Sequence, residues 1–206
     1  LDYRTKYDVP IWLGESGENS NVWFKDAISL VEQNNIGWAF WPMKKIESIA
    51  GVTSVTQPKG YQQLLDYWKD GKSKPSPAFA KKVLMELANN YKLEKVTIRP
   101  DVVDAMFRQV QNPTAKAFKK NLLPARILAT NYDLGTQGVA YYDTDFQNID
   151  GTKFTPYNKG FSLRNDGVDI ISSGNKESKG FQVGFIEAGE WLQYTVTSKK
   201  KATYSA

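Results

Sequence analysis

Val9-Pro10-Ile11-Trp12-Leu13-Gly14-Glu15-Ser16-Gly17-Glu18 is an apolar run that stops abruptly on a carboxylate held between two glycines. A short strand ending in Gly-Glu-x-Gly carries that carboxylate to the strand's C-terminal mouth, where parallel α/β barrels keep their chemistry. Downstream, Phe24, Ala27, Ile28 and Val31 recur at i, i+3, i+4 and i+7, which predicts an amphipathic helix over 22–33. Ser20 or Asn21 offers its N-cap, and Asn34-Asn35 its stop. A second apolar run, Ile36-Gly37-Trp38-Ala39-Phe40-Trp41, then ends on a tryptophan. If the two strands are neighbours, Glu15 and Trp41 share one rim, an acid beside a flat apolar platform. That pairing suits a sugar, whose C–H face stacks on the ring while the carboxylate attacks the anomeric carbon.

The pattern continues outward as strand–helix–strand–helix, the order of an α/β fold. Tyr61, Leu64, Leu65 and Trp68 repeat the helical spacing after the loop punctuated by Pro58 and Gly60, which reads Trp68 as core. Pro75 and Pro77 break the chain before a helix over 78–90, with Phe79, Val83, Leu84 and Leu87 inward. A short helix over 100–109 begins on Pro100, a residue suited to a first turn. Trp12, Trp23 and Trp38 read as packing residues, Glu18 as a favourable charge at a helix N-terminus, and Lys44 and Lys45 as solvated.

At Val9–Glu18 and Gly37–Lys44 the chain resembles the last two barrel strands of glycoside hydrolase family 5, the clan of endoglucanases, mannanases and related retaining enzymes. The resemblance covers roughly residues 1–111 and implies the last βα units of a TIM barrel. It makes Glu15 the catalytic nucleophile and Trp41 the floor of the subsite for the cleaved sugar. A retaining glycosidase needs a second carboxyl ~5–5.5 Å away. The family takes it from an Asn-Glu motif ending strand four, and that motif is not among these residues. The chain is therefore expected to be a barrel fragment, inactive alone and part of an active full-length enzyme.

Residues 112–123 turn polar and basic, with Asn112-Pro113 and Lys119-Lys120, and read as a linker. From 124 to 206 helical periodicity gives way to short alternating runs, 125–132, 138–142, 168–172, 181–185 and 191–197, separated by Gly, Asn and Asp clusters. These predict an all-β sandwich. Asn131-Tyr132-Asp133, Gly138 to Asp145, Arg164 to Ile170 and Gly189 to Val196 resemble carbohydrate-binding module family 6, a jelly-roll sandwich, here incomplete. The resemblance implies a glycan cleft at the loop end, with an aromatic just before the arginine. Leu163 holds that position, with Tyr157 and Phe161 nearby, and Trp191 lies in a strand the family uses near a second binding surface. The resemblance also implies a structural Ca²⁺ held partly through a Glu-Ala-Glu pattern, where this chain has Leu128-Ala129-Thr130.

Composition bounds the rest. The 206 residues contain no Cys and no His, which excludes disulfides, ordinary zinc sites and Ser-His or Cys-His mechanisms within them. No apolar run approaches the ~20 residues of a membrane-spanning helix. The net charge of +5 is concentrated between Lys69 and Lys120, where 12 Lys/Arg face 5 Asp/Glu. Those lysines are scattered over helical and turn sequence with no nucleic-acid motif, so they read as solvated faces. The expected partner is a plant cell-wall polysaccharide, β-1,4-glucan first, with mannan, xyloglucan or mixed-linkage glucan as alternatives. No catalytic cofactor is implied, and the family implies secretion or a cell-surface location. The rival class is a non-catalytic carbohydrate-binding protein.

Overall fold

The computed structural model describes residues 2–147 and 157–203. In chain order the main elements are α1 (Asp2–Tyr7), β1 (Trp12–Leu13), α2 (Asn21–Gln33), β2 (Gly37–Trp38), β3 (Lys44–Ile46), β4 (Thr53–Val55), α3 (Tyr61–Asp70), α4 (Pro77–Asn90) and β5 (Thr97–Ile98). They continue as α5 (Pro100–Met106), α6 (Arg108–Gln111), β6 (Asn121–Leu123), β7 (Tyr141–Tyr142), β8 (Ile170–Ser172), β9 (Phe181–Val183), β10 (Trp191–Leu192) and β11 (Val196–Ser198). Among the described residues, no helix is long and apolar enough to cross a membrane. The chain packs as two compact units, one of Leu1–Trp41 with Pro100–Ala206 and one of Pro42–Arg99.

In the first unit β1 and β2 pair in parallel, Trp12 opposite Gly37 and Leu13 opposite Trp38. The pairing needs glycine at 37, because a Cβ there would come within 2.3 Å of the Trp12 ring. α2 makes the crossover. Ser20 caps it with extended backbone, its hydroxyl accepting the Trp23 N–H at 3.2 Å. Its inward stripe is Val22, Phe24 and Ile28, and α5 answers with buried Val102, Ala105 and Met106. At the far end Asn34 closes the helix and Asn35 turns left-handed, φ 52°, a conformation that asparagine tolerates better than most residues.

The same unit carries the β half. β7 and β10 pair antiparallel, as do β8 and β9, while β6 and β11 run parallel. Tyr132, Ala140, Tyr141, Val168 and Ile170 form their core, with Phe146, Leu163, Phe181, Val183 and Leu192 packed against it. Residues 125–132, read as a strand, instead contain a 3-10 turn over Ala129–Asn131 that drops Tyr132 into this core. The polar stretch read as a linker ends in a strand, β6, whose register with β11 sets Asn121 against Val196.

A buried polar joint ties the helical part to the β half within this unit. The Asn165 N–H donates to Asp101 Oδ2 (2.7 Å), and its amide donates to the Asn19 carbonyl (2.8 Å) and to Asn21 Oδ1 (3.0 Å). Asn21 returns a backbone N–H to the Asn165 carbonyl (2.9 Å) and its amide to Asp101 (3.0 Å). All three of Asn21, Asp101 and Asn165 are buried, so each bond forms where an unmet polar group would be costly.

The second unit is built on the sheet β3-β4-β5, parallel then antiparallel, and on α3 and α4, which pack on each other. Ile49, Val55, Leu64 and Val83 are its buried hydrophobic residues. Trp68 is an exposed residue rather than core, meeting Tyr61 edge-on at 6.4 Å, and Leu84 also stays exposed. Lys44 and Lys45 are not solvated loop residues. Both lie in β3, Lys45 buried and the Lys44 ammonium donating to the Tyr91 carbonyl at 2.5 Å, which caps the end of α4.

Candidate functional site

Beyond β1 and β2 the parallel alignment continues through backbone hydrogen bonds. The Ala39 N–H donates to the Leu13 carbonyl (2.9 Å), and the Trp41 N–H to the Ser16 carbonyl (2.8 Å). The Ser16 hydroxyl donates to the Ala39 carbonyl (2.9 Å), a further tie across the same gap. These three bonds draw the Glu15–Ser16 backbone alongside Trp41, past the C-terminal ends of the two strands. Both Glu15 and Trp41 are exposed, Trp41 by 61%. An aromatic ring left this open, on backbone aligned with that of a strand-end carboxylate, is free to be covered by a ligand. Trp38 turns away into packing, its indole N–H donating to Glu32 (3.2 Å) and its ring 6.0 Å from that of Phe107.

In the β half the expected module residues separate. Leu163 packs against the core and so does not present a surface for stacking. Tyr157 is half-buried, and its hydroxyl donates to Asn165 Oδ1 (2.7 Å); burial pushes that hydroxyl's pKa up to about 12. Phe161 is exposed at a left-handed φ of 45° and meets the Tyr157 ring edge-on at 5.6 Å. Trp191 lies opposite Tyr142 across the β7–β10 pair, and both rings are partly exposed. They line a cavity of about 210 Å³ with Val183 and Ile186 and with Asp143 and Glu190. Tyr142 was missed by sequence reasoning. Its signal was the alternation in Tyr141-Tyr142, where one ring must face inward and the other out.

Beside this cavity lies a set of charged groups. Asp143, Asp145 and Asp169 each offer a carboxylate oxygen, and the three oxygens lie within 4.8 Å of one another. Lys159 faces two of them, its ammonium 2.6 Å from Asp145 Oδ2 and 3.5 Å from Asp169 Oδ2. Burial, with the nearby Asp145, Glu190 and Asp169 carboxylates adding to it, raises the Asp143 pKa to about 7 against the opposing Asp145 N–H.

The sign of that shift gives a pH dependence. An unfolded aspartate ionises near ~4, so between about 4 and 7 the folded state holds a proton that the unfolded state lacks. This contribution to stability is complete below the unfolded pKa and is lost as pH rises through 7. Asp143→Asn keeps the shape without the titration. The variant is expected to gain on the parent by on the order of 1–3 kcal/mol between pH 5 and pH 8. Urea unfolding at the two pH values measures it, and parallel stability curves would refute it.

Compared with protein-family models, curated proteins and solved structures, the chain matches none of them.

Proposed function

We propose that these residues belong to a retaining β-glycanase, with Glu15 as its nucleophile and Trp41 as the platform for the sugar being cleaved. The carrying observation is the pair of parallel strands whose C-terminal ends lead to an exposed carboxylate and an exposed indole, aligned by the Trp41–Ser16 backbone bond. The Glu15 carboxylate attacks the anomeric carbon and forms a glycosyl-enzyme ester. An acid/base carboxyl from a barrel strand outside these 206 residues protonates the departing oxygen and then takes a proton from the water that hydrolyses the ester. The substrate class is a β-1,4-linked glucan, a polymer met outside the cell. The β half is a glycan-binding module that holds the enzyme on it.

A purely glycan-binding role is the second reading, and the Trp191–Tyr142 pair favours it, since two partly exposed rings over an apolar cavity can hold a sugar without chemistry. One measurement separates the two. A protein carrying these residues on the complete barrel is incubated with a soluble β-glucan oligomer, and proton NMR follows the new reducing end. The β-anomer should appear first and then mutarotate. Initial α-anomer rejects the retaining mechanism, and no cleavage with intact binding selects the second reading.

A further inference from the structure

The resemblance of the β half brings with it an expectation of structural calcium, and the described residues allow a test of fit. At the expected strand position stand Leu128 and Thr130, and the segment Ala129–Asn131 is a 3-10 turn with Thr130 buried. Leu offers no ligand atom, and threonine brings no charge. Among the described residues, Asp143, Asp145 and Asp169 are the three carboxylates whose oxygens converge. Calcium requires about six to eight oxygens at about 2.3–2.6 Å.

Two of the three carboxylates already face a cation. Lys159 grips Asp169 twice, its backbone N–H donating to Oδ1 (2.6 Å) and its ammonium lying 3.5 Å from Oδ2. The same ammonium is 2.6 Å from Asp145 Oδ2 and 5.5 Å from the centre of the Phe185 ring, which adds a favourable quadrupole. Asp169 Oδ2 is buried and accepts no hydrogen bond, so the ammonium is the positive charge facing it. Asp143 Oδ1 accepts the Asp145 N–H (3.2 Å). The other nearby carboxylates, Glu187 and Glu190, are engaged by the Thr144 hydroxyl, and Glu190 also by the Thr144 and Glu187 N–H groups.

Lys159 is also held in place by its backbone. Asn158, fully buried, accepts the Gly160 and Phe161 N–H groups and donates to the Arg164 carbonyl. Gly160 presses so closely on β8 that a Cβ there would meet the Ile170 carbonyl at 1.7 Å. The turn that carries the lysine is therefore fixed against the strand leading out of Asp169.

We infer that Lys159 is the built-in cation of this carboxylate cluster, standing where a divalent metal would otherwise be needed, and that the β half is held together without calcium. A lysine at this position supplies one tethered charge and excludes a free one by repulsion and by volume. Neutralising it should turn the cluster into a site that responds to calcium. The inference does not depend on the chemistry of Glu15.

The test compares thermal unfolding of the parent and of Lys159→Gln in EDTA and in millimolar CaCl₂. The parent Tm should be the same in both. The variant should melt lower in EDTA and recover by several degrees in calcium. A ligand at a hundred times its Kd raises Tm by roughly 5–10 °C in a chain of this size, so a calcium-dependent rise of that order in the parent would overturn the inference. An undiminished variant in EDTA, or a weakened one that calcium does not rescue, would overturn it as well. Should Lys159→Gln fail to fold in either buffer, terbium luminescence on the parent decides. Saturable, calcium-displaced terbium emission from the parent rejects the inference, and its absence supports it.

Discussion

Glu15→Gln is expected to lower the turnover of a soluble β-glucan by roughly 1,000-fold or more in a protein that carries the complete barrel, which is the scale of removing a nucleophile from a covalent mechanism. The amide matches the carboxylate in shape but cannot displace a leaving group, so binding should survive. KM or the affinity for an oligosaccharide should therefore stay within a few fold while kcat collapses. Small nucleophiles sharpen the test. Added azide should restore turnover in Glu15→Gly, where the space is open, and give a glycosyl azide of inverted configuration, because azide then attacks directly from the side that the carboxylate has vacated. Unimpaired turnover would move the nucleophile elsewhere. Equal losses of binding and turnover would mean that the substitution had disturbed the strand end, where Ser16 links to Ala39 and Trp41.

The local order of this region was legible because it is written in short-range periodicity. The stripe Phe24, Ile28 and the cap Ser20 are set by 3.6-residue spacing and by one side chain's reach to a nearby N–H. The parallel pairing of β1 and β2 follows from two apolar runs flanking one helix. Periodicity failed where a helix has a wide apolar stripe on a small unit: Trp68 keeps the core spacing of α3 but stays exposed, because its ring meets Tyr61 at the unit's surface. The run 125–132 reads as a strand because its residues alternate, yet Tyr132 is drawn inward beneath Arg164, and the chain before it closes into a 3-10 turn. Lys159 gave no signal at all. A lysine between asparagine and glycine has the composition of a solvated turn, and its partners lie 14 residues before it and 10 after. The joint of Asn21, Asp101 and Asn165 was hidden for the same reason, since hydrogen bonds between distant polar residues leave no period in the sequence.

Arg164→Met should destabilise the first unit by about 3–5 kcal/mol, the usual result of removing one partner from a buried ion pair. Arg164 is 1% exposed, and its guanidinium pairs with Asp166 (2.7 Å), whose own side chain is nearly as buried. It also donates to the Tyr132 and Asp133 carbonyls and lies over the Tyr132 ring, 3.6 Å from its centre. The Tyr132 hydroxyl closes the circuit by donating to the other oxygen of Asp166. Methionine can fill the volume, but it leaves the Asp166 carboxylate without its cation and two carbonyls without donors. The expected reading is a fall in Tm of roughly 6–20 °C, followed by near-ultraviolet circular dichroism of the packed tyrosines. Arg164→Met with Asp166→Leu removes the orphaned charge as well, and should recover part of the loss. The recovery should be incomplete, because the Tyr132 hydroxyl and the two carbonyls stay buried and unpaired, at about 1–3 kcal/mol for each such group. A single variant that melts within a degree of the parent would mean that Arg164 is not holding Asp166 in the folded core. A double variant no better than the single one would place the whole cost in the carbonyls. The position also explains why three consecutive residues divide their work: Arg164 and Asp166 alternate toward the β core, while Asn165 between them faces the helical part and makes the joint with Asp101.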